Sequence, residues 1–439
     1  MINNIDNIDK NDKGRKQASD LLELTDKYIN KIETAEEVYI EDSIDRIFAV
    51  DIIPEINIPP FVRSAVDGFA VIAKDLSENK TIKLKIVQQI TAGFDNELQE
   101  IHHGEAAFVT TGAPVPPGAD AVVLIEDTVG YAGGYVSYDK KVEQGSYISP
   151  IGDDIKSDVK LYSKGDKIRL CDIAALAGIG YKKISVFKKP VIGILSGGNE
   201  LIQPGGKLKS NKIYDINTTA LKALIKDAGG IPEVIGVVED NTESITNALI
   251  NADKSQKYNL LISTGGTGAS FLVLDNKEIA NFYDLIPSSI KKTGKLYFHG
   301  LNLIPGKPTS FGILNNNTPI FALAGWPYSV IITFDLFVRP FIQKMTNINN
   351  IYKRYPEITA VLKEEVRSEK GVRKYFQVKV TKENNKLTAS VIQPPKPPSA
   401  ARSLSPLIKA NGSFAMDEET VVMNAGEEVV VALNDYNIF

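Results

Sequence analysis

The sequence predicts a protein of several domains, mixed α/β in its middle and β-rich on either side of that region. Three observations carry this. From Pro190 to Met345, short runs that are apolar almost throughout alternate with amphipathic stretches at helical spacing, as in a parallel sheet covered on both faces. Residues 59–158 and the stretch after Ile351 alternate apolar and polar at period two, broken by Gly and Pro. A chain of 439 residues, 43% hydrophobic, exceeds what one ordinary core holds and should divide into three or four domains.

The elements follow in order. Residues 1–17, MINNIDNIDKNDKGRKQ, are polar and charged where a signal peptide would be apolar, and read as a disordered tail. Leu21, Leu22, Leu24, Tyr28 and Ile29 then mark a helix, followed by a second short element. Strand-like runs such as Ile82-Leu84-Ile86 and Ala121 to Leu124 fill the next hundred or so residues. Ile173, Leu176 and Ala177, with a glycine stop at Gly178 and Gly180, restore helix, so the β-rich part is inserted into a helical one. In the α/β region, strands are expected at Val191 to Leu195, Val234 to Val238 and Tyr258 to Ile262. Helices are expected after a cap at Asn217 or Thr218, over Thr242 to Ala252, and from Tyr328 to Met345. Val330, Phe334, Phe337, Phe341 and Met345 on the last helix are expected in the core. Strands with Phe376-Val378-Val380 and Leu387-Ala389-Val391 close the chain. The expected domains are a discontinuous helical linker (18–58 plus 159–187), an inserted β-rich domain (59–158), an α/β domain (188–348) and a C-terminal β domain (349–439).

Bulk properties narrow the function. A net charge of −4 leaves no large positive field, which argues against nucleic acid as a partner. No run of 18 apolar residues appears, so no membrane span is expected. The single cysteine, Cys171, rules out an internal disulfide framework and fits a cytoplasmic protein; following Leu170 in an apolar run, it is expected in the core.

The chemistry concentrates in loops and in one motif. The run at 59–71, PPFVRSAVDGFAV, places Arg63 and Asp67 in an apolar segment, where a buried carboxylate needs a partner; Arg63 is the bland choice. Four glycine-bearing loops are expected at one edge of the parallel sheet: Ser196 to Glu200, Gly265-Gly266-Thr267-Gly268, Pro305-Gly306-Lys307-Pro308 and Ala324 to Ser329. Side-chain-free N–H groups and Lys307 there suit a phosphate or oxyanion. His102, His103 and His299 lack zinc spacing, whereas Asp67, Asp154, Glu200, Asp215 and Asp240 suit a hard cation such as magnesium.

In ordered succession these segments resemble the molybdopterin molybdenumtransferase family, the MoeA and gephyrin E-domain group, over roughly residues 18–435. The resemblance rests on the run at 59–71, TGAPVPPGADAVV at 111–123, GDDI at 152–155, GILSGGNEL at 193–201, IYDIN at 213–217, PGKP at 305–308 and AGEEVVV at 425–431. It implies a helical linker, an inserted β domain, a MogA-like three-layer α/β/α molybdopterin-binding domain and a C-terminal β-barrel, in a homodimer whose site joins two subunits. It also implies magnesium-dependent insertion of molybdate, or tungstate, into adenylylated molybdopterin with release of AMP, after a MogA/MoaB-like adenylyltransferase. Carried onto this chain, the resemblance assigns catalysis to Asp67, Asp154, Glu200 and Lys307. It assigns substrate binding to Thr111, Asp215, Asn217, the 265–268 loop, Pro327 and Ser329, and leaves Glu200 and Asp240 as candidate metal ligands. The chain departs from the family pattern at four places. TGGTGAS at 264–270 is followed by Phe271, Leu272 and Val273, with the usual aspartate displaced to Asp275; Ile304 replaces a lysine; Trp326 stands in a loop that usually reads PGNPVS; Asn199 replaces an acid. Two further readings therefore stand beside the first: a pterin-binding paralogue without turnover, and a MogA-like adenylyltransferase.

Overall fold

The computed structural model describes residues 17–208, 210–265, 270–274, 277–282, 285–350, 355–392 and 404–434. The expected N-terminal tail, Gln17 apart, lies outside them. The chain forms two compact units, Glu37–Val186 and the remainder, Met1–Glu36 with Phe187–Phe439.

In the first unit, β1 (Gly68–Val71), β2 (Ile82–Ile90), β3 (Glu105–Val109), β4 (Ala121–Leu124), β5 (Gly130–Ala132) and β6 (Tyr135–Tyr138) form one sheet in the order β4-β1-β3-β2-β6-β5. Pairing is antiparallel except between β2 and β3. Both faces are covered. Phe69, Val71, Leu84 and Val123 pack on one side, and Ala70, Ile90, Val109 and Val122 on the other, so Phe69-Ala70-Val71 is apolar without a break.

A third core of the same unit gathers Phe48, Ile52, Ile168, Leu176 and Val186 around α1 (Leu170–Gly178). The buried residues of α1 are Asp172 and Leu176, four apart, which turns the other faces outward. Cys171 is accordingly exposed, not in the core. Asp172 is buried but well held: it accepts bonds from Tyr162 Oη (3.1 Å) and from Arg169 N (2.8 Å), Nε (3.1 Å) and Nη2 (2.8 Å). Burial acts to raise its pKa, but these bonds outweigh it and the carboxyl sits below its ordinary value. Burial, then the Asp172 charge and bond, pushes the Tyr162 hydroxyl up to about 12. An Asp172→Ala variant should lose about 2–3 kcal/mol of stability, because the tyrosine and guanidinium lose a shared buried acceptor. A denaturant midpoint unchanged from wild type would contradict this.

The second unit contains the doubly covered sheet. Its elements are β7 (Val191–Gly197), α2 (Ile216–Asp227), β8 (Ile231–Val238), α3 (Thr242–Lys254), β9 (Leu260–Thr264), α4 (Leu285–Thr293), β10 (Gly294–His299), β11 (Ser310–Leu314), β12 (Pro319–Leu323), α5 (Pro327–Thr333) and α6 (Arg339–Met345). The strand order is β8-β7-β9-β12-β11-β10, parallel across the first four and antiparallel beyond. On one face Ile192, Ile194, Ile262 and Phe321 meet α2, the 327–345 helix and Leu21 of the N-terminal helix Ala18–Asp26. On the other, Leu195, Leu261 and Ile320 meet Ile245 and Leu249 of α3 and Ile286 and Ile290 of α4.

Two expectations are corrected. The cap of α2 is Asp215, whose carboxylate accepts from Thr218 N at 3.0 Å, rather than Asn217 or Thr218. The last helix starts at Pro327 and is not uniform: Phe334–Val338 is a π turn. Pro340 follows it, and a proline lacks the N–H for, and crowds, the carbonyl four residues back, Leu336, which accounts for the widened turn. Its aromatics lie in the core as expected.

In the C-terminal region, β13 (Glu357–Leu362), β14 (Arg373–Glu383), β15 (Lys386–Val391), β16 (Gly412–Met416) and β17 (Glu428–Leu433) run β14-β15-β13-β17-β16 and close through β16–β14 into a five-stranded barrel. Alternation sets its interior: Val429 and Val431 are buried while Val430 faces solvent. Leu303–Ile304 pairs in parallel with Arg373–Lys374 at the start of β14, and the Tyr328 hydroxyl accepts from Gln377 Nε2 at 2.9 Å, tying the barrel to α5.

Candidate functional site at the sheet switch point

From β7 the chain first crosses to β8 on one side and then to β9 on the other, so the order reverses between β7 and β9. A crevice outside the carboxyl ends of the strands at such a reversal is where open α/β sheets take ligands. Gly197, Gly265 and Gly325 meet there. A Cβ on Gly265, whose φ is +84°, would lie 2.4 Å from the Gly197 carbonyl oxygen, and one on Gly325 would lie 3.4 Å from Gly265 Cα. Only glycine permits both the left-handed backbone and the approach, and the result is a floor of bare main chain. The Asn217 Nδ2 donates to Gly325 O at 2.7 Å and holds the 324–329 loop to the start of α2.

Beneath the floor lies a buried hydroxyl chain. Ser196 and Thr264, near the ends of β7 and β9, approach at 3.4 Å; Ser196 Oγ is 3.0 Å from Thr218 Oγ1, which donates to Asp215 Oδ2 at 2.6 Å. All four residues are buried. The N-cap of α2 therefore also anchors the two strand ends that carry the floor. The sequence showed a trace of this in the serine and threonine that interrupt otherwise apolar strands, yet nothing local pairs them.

The 300–309 loop belongs to the same edge, because Ser310 pairs with both His299 and Ala322 near the carboxyl end of β12. It carries Lys307, whose side chain is exposed and whose carbonyl accepts from Leu301 N. Glu200 is exposed beside Gly198, and Asp240 accepts from Asn199 N at 3.2 Å, with its Oδ1 3.6 Å from the Cβ position of Gly197. Pro327 opens α5 and Ser329 is buried within it. Gly266, Thr267 and Gly268 lie outside the described residues, as does Asp275. Among the described residues no three His, Cys, Asp or Glu side chains form a metal-binding group.

In the first unit, three motifs distant in sequence converge. Ser64 N donates to Ala113 O, Gly112 N to Ser64 O, Gly152 N to Pro59 O, and Ile58 bridges to Ile155. Asp67 is exposed rather than buried, and its bonds come from Thr111, not Arg63: Oδ1 accepts from Thr111 N at 2.6 Å and Oγ1 at 3.0 Å. Those bonds, the backbone one first, hold its carboxyl below the ordinary range. The stabilisation is therefore present above the ordinary aspartate value of about 3.9 and is lost as pH falls through the lowered one. In Thr111→Val the hydroxyl bond goes while the N–H bond stays, so the Asp67 carboxyl should titrate nearer its ordinary value in an NMR titration; an unmoved midpoint would contradict this. Asp154 is also exposed, its N–H bonded to Ile58 O.

Residues 16–180 match the MoeA N-terminal region (domain I and II), and residues 193–344 match a probable molybdopterin binding domain. The chain is 32% identical to the molybdopterin molybdenumtransferase of Bacillus subtilis over 70% of its own length and 69% of the relative's. It is 28% identical to that of Staphylococcus epidermidis over 92% of each. Two solved structures of the MoeA molybdopterin biosynthesis protein from Pyrococcus horikoshii superimpose with TM-scores of 0.78 and 0.76 at 31% and 29% identity, covering 96% and 95% of this chain and 99% of each of those. The chain belongs to the molybdopterin molybdenumtransferase family, enzymes of molybdenum cofactor biosynthesis. Among the described residues no helix is long and apolar enough to cross a membrane.

Proposed function

We propose that the protein inserts molybdate, or tungstate, into adenylylated molybdopterin with release of AMP. The observation that carries this is the glycine floor at the switch point, with Lys307 on the same edge: bare N–H groups and a cation suit the phosphates of a pterin nucleotide. Two carboxylates, Glu200 and Asp240, flank the first loop. They fit magnesium, which commonly takes one or two protein carboxylates and completes its shell with water and substrate phosphates, so a cluster of three donors is not required. Such an ion would neutralise charge developing on the phosphoanhydride. In a homodimer, Asp67 and Asp154 of a second copy would supply the remaining acids, with Thr111 holding Asp67 in place, and a MogA/MoaB-like enzyme would supply the adenylylated substrate in the cytoplasm.

Incubation with adenylylated molybdopterin, magnesium and either oxyanion should release AMP in step with metal insertion. Absence of release with both oxyanions, despite pterin binding, would favour a second reading, a binding paralogue without turnover; the exposed Ile304, where the family carries a lysine, motivates it. ATP consumption driven by molybdopterin would instead indicate adenylyl transfer.

A further inference from the structure

We propose that Trp326 is the platform on which a planar fused heterocycle of the bound pterin nucleotide stacks. The inference rests on the reading above and deepens it. Trp326 is the only tryptophan in the chain, and it directly follows Gly325, so the glycine floor leads straight to an indole. It remains 45% exposed, while Tyr328 two positions on is 6% exposed and belongs to the core. Trp326 occupies the N-cap of α5, where Ser, Thr, Asp or Asn is commoner. Pro327 fixes the next φ, so the backbone that carries the ring is already ordered and little freedom is lost on stacking. An aromatic face held at the edge that takes phosphates is suited to the ring attached to them, and such stacking tolerates any planar base.

Because no other residue contributes indole emission, Trp326 reports on its own environment. The full-length protein is titrated with AMP, with a free oxidised pterin and with adenylylated molybdopterin, following tryptophan emission and, separately, binding heat. Emission should change saturably at the concentrations where heat is released, and the AMP and pterin arms distinguish which ring stacks. Trp326→Leu, which keeps apolar bulk without a ring, should weaken binding about 10- to 100-fold, whereas Trp326→Phe should stay within about fivefold of wild type. Binding heat with unaltered emission, and a Leu variant that binds as wild type, would overturn the stacking role while leaving the site in place. No heat from any of the three ligands would overturn the site and the stacking together. If the Leu variant fails to fold, the wild-type emission titration decides.

Discussion

Gly265→Ala should weaken binding of adenylylated molybdopterin by at least 100-fold, the larger of the two principal effects expected. The substitution forces a Cβ to within 2.4 Å of the Gly197 carbonyl oxygen at a φ of +84°. A left-handed backbone alone costs an L-residue about 1–2 kcal/mol, and the clash adds to it because the opposing atom is main chain in the adjacent strand. Relief requires the β7 and β9 ends to separate, which opens the floor between the first two loops. Gly426→Ala is the matched control. Its φ is +93° with nothing within 4 Å of the added carbon, so it should carry the backbone cost and leave binding unchanged. Calorimetric titration of both variants checks the expectation; equal losses, or none, would contradict it.

Asp215→Ala should lower stability by about 3 kcal/mol: about 1 from the missing helix cap, and the rest from a Thr218 hydroxyl and its partner Ser196 left buried without their acceptor. Asp215→Asn separates the parts. An asparagine oxygen can still accept from Thr218 N, but its amide cannot accept from Thr218 Oγ1, so its stability should fall between wild type and Ala. Ligand affinity should follow the same order, because the network under the floor begins at this carboxylate. Denaturant midpoints of the two variants decide this. An Asn variant as unstable as Ala would assign the whole effect to the hydroxyl chain.

Much of the architecture was legible because it is written in local periodicity. Fully apolar strands alternating with amphipathic helices gave the covered sheet, and period two gave the barrel strand with Val378 and Val380 inward. The edge that gathers the glycine loops followed from strand direction alone. What local pattern could not give was partnership. Asp67 turned to Thr111, forty-four positions away, rather than to Arg63, and Asp215 proved to be a buried cap linked to Ser196 and Thr264 on two other elements. Phase misled at Cys171: an apolar neighbourhood does not say which residues of a short helix face inward, and on α1 the buried pair is Asp172 and Leu176. The π turn at Phe334–Val338 arises from Pro340, which follows it, a break that aromatic spacing conceals.

The most direct test is a crystal structure of the protein with adenylylated molybdopterin. The nucleotide phosphates should lie against the Gly197–Gly198 and Gly265 turns, with Lys307 turned toward them and a ring over Trp326. A ligand ordered anywhere other than the carboxyl ends of β7 and β9 would contradict this.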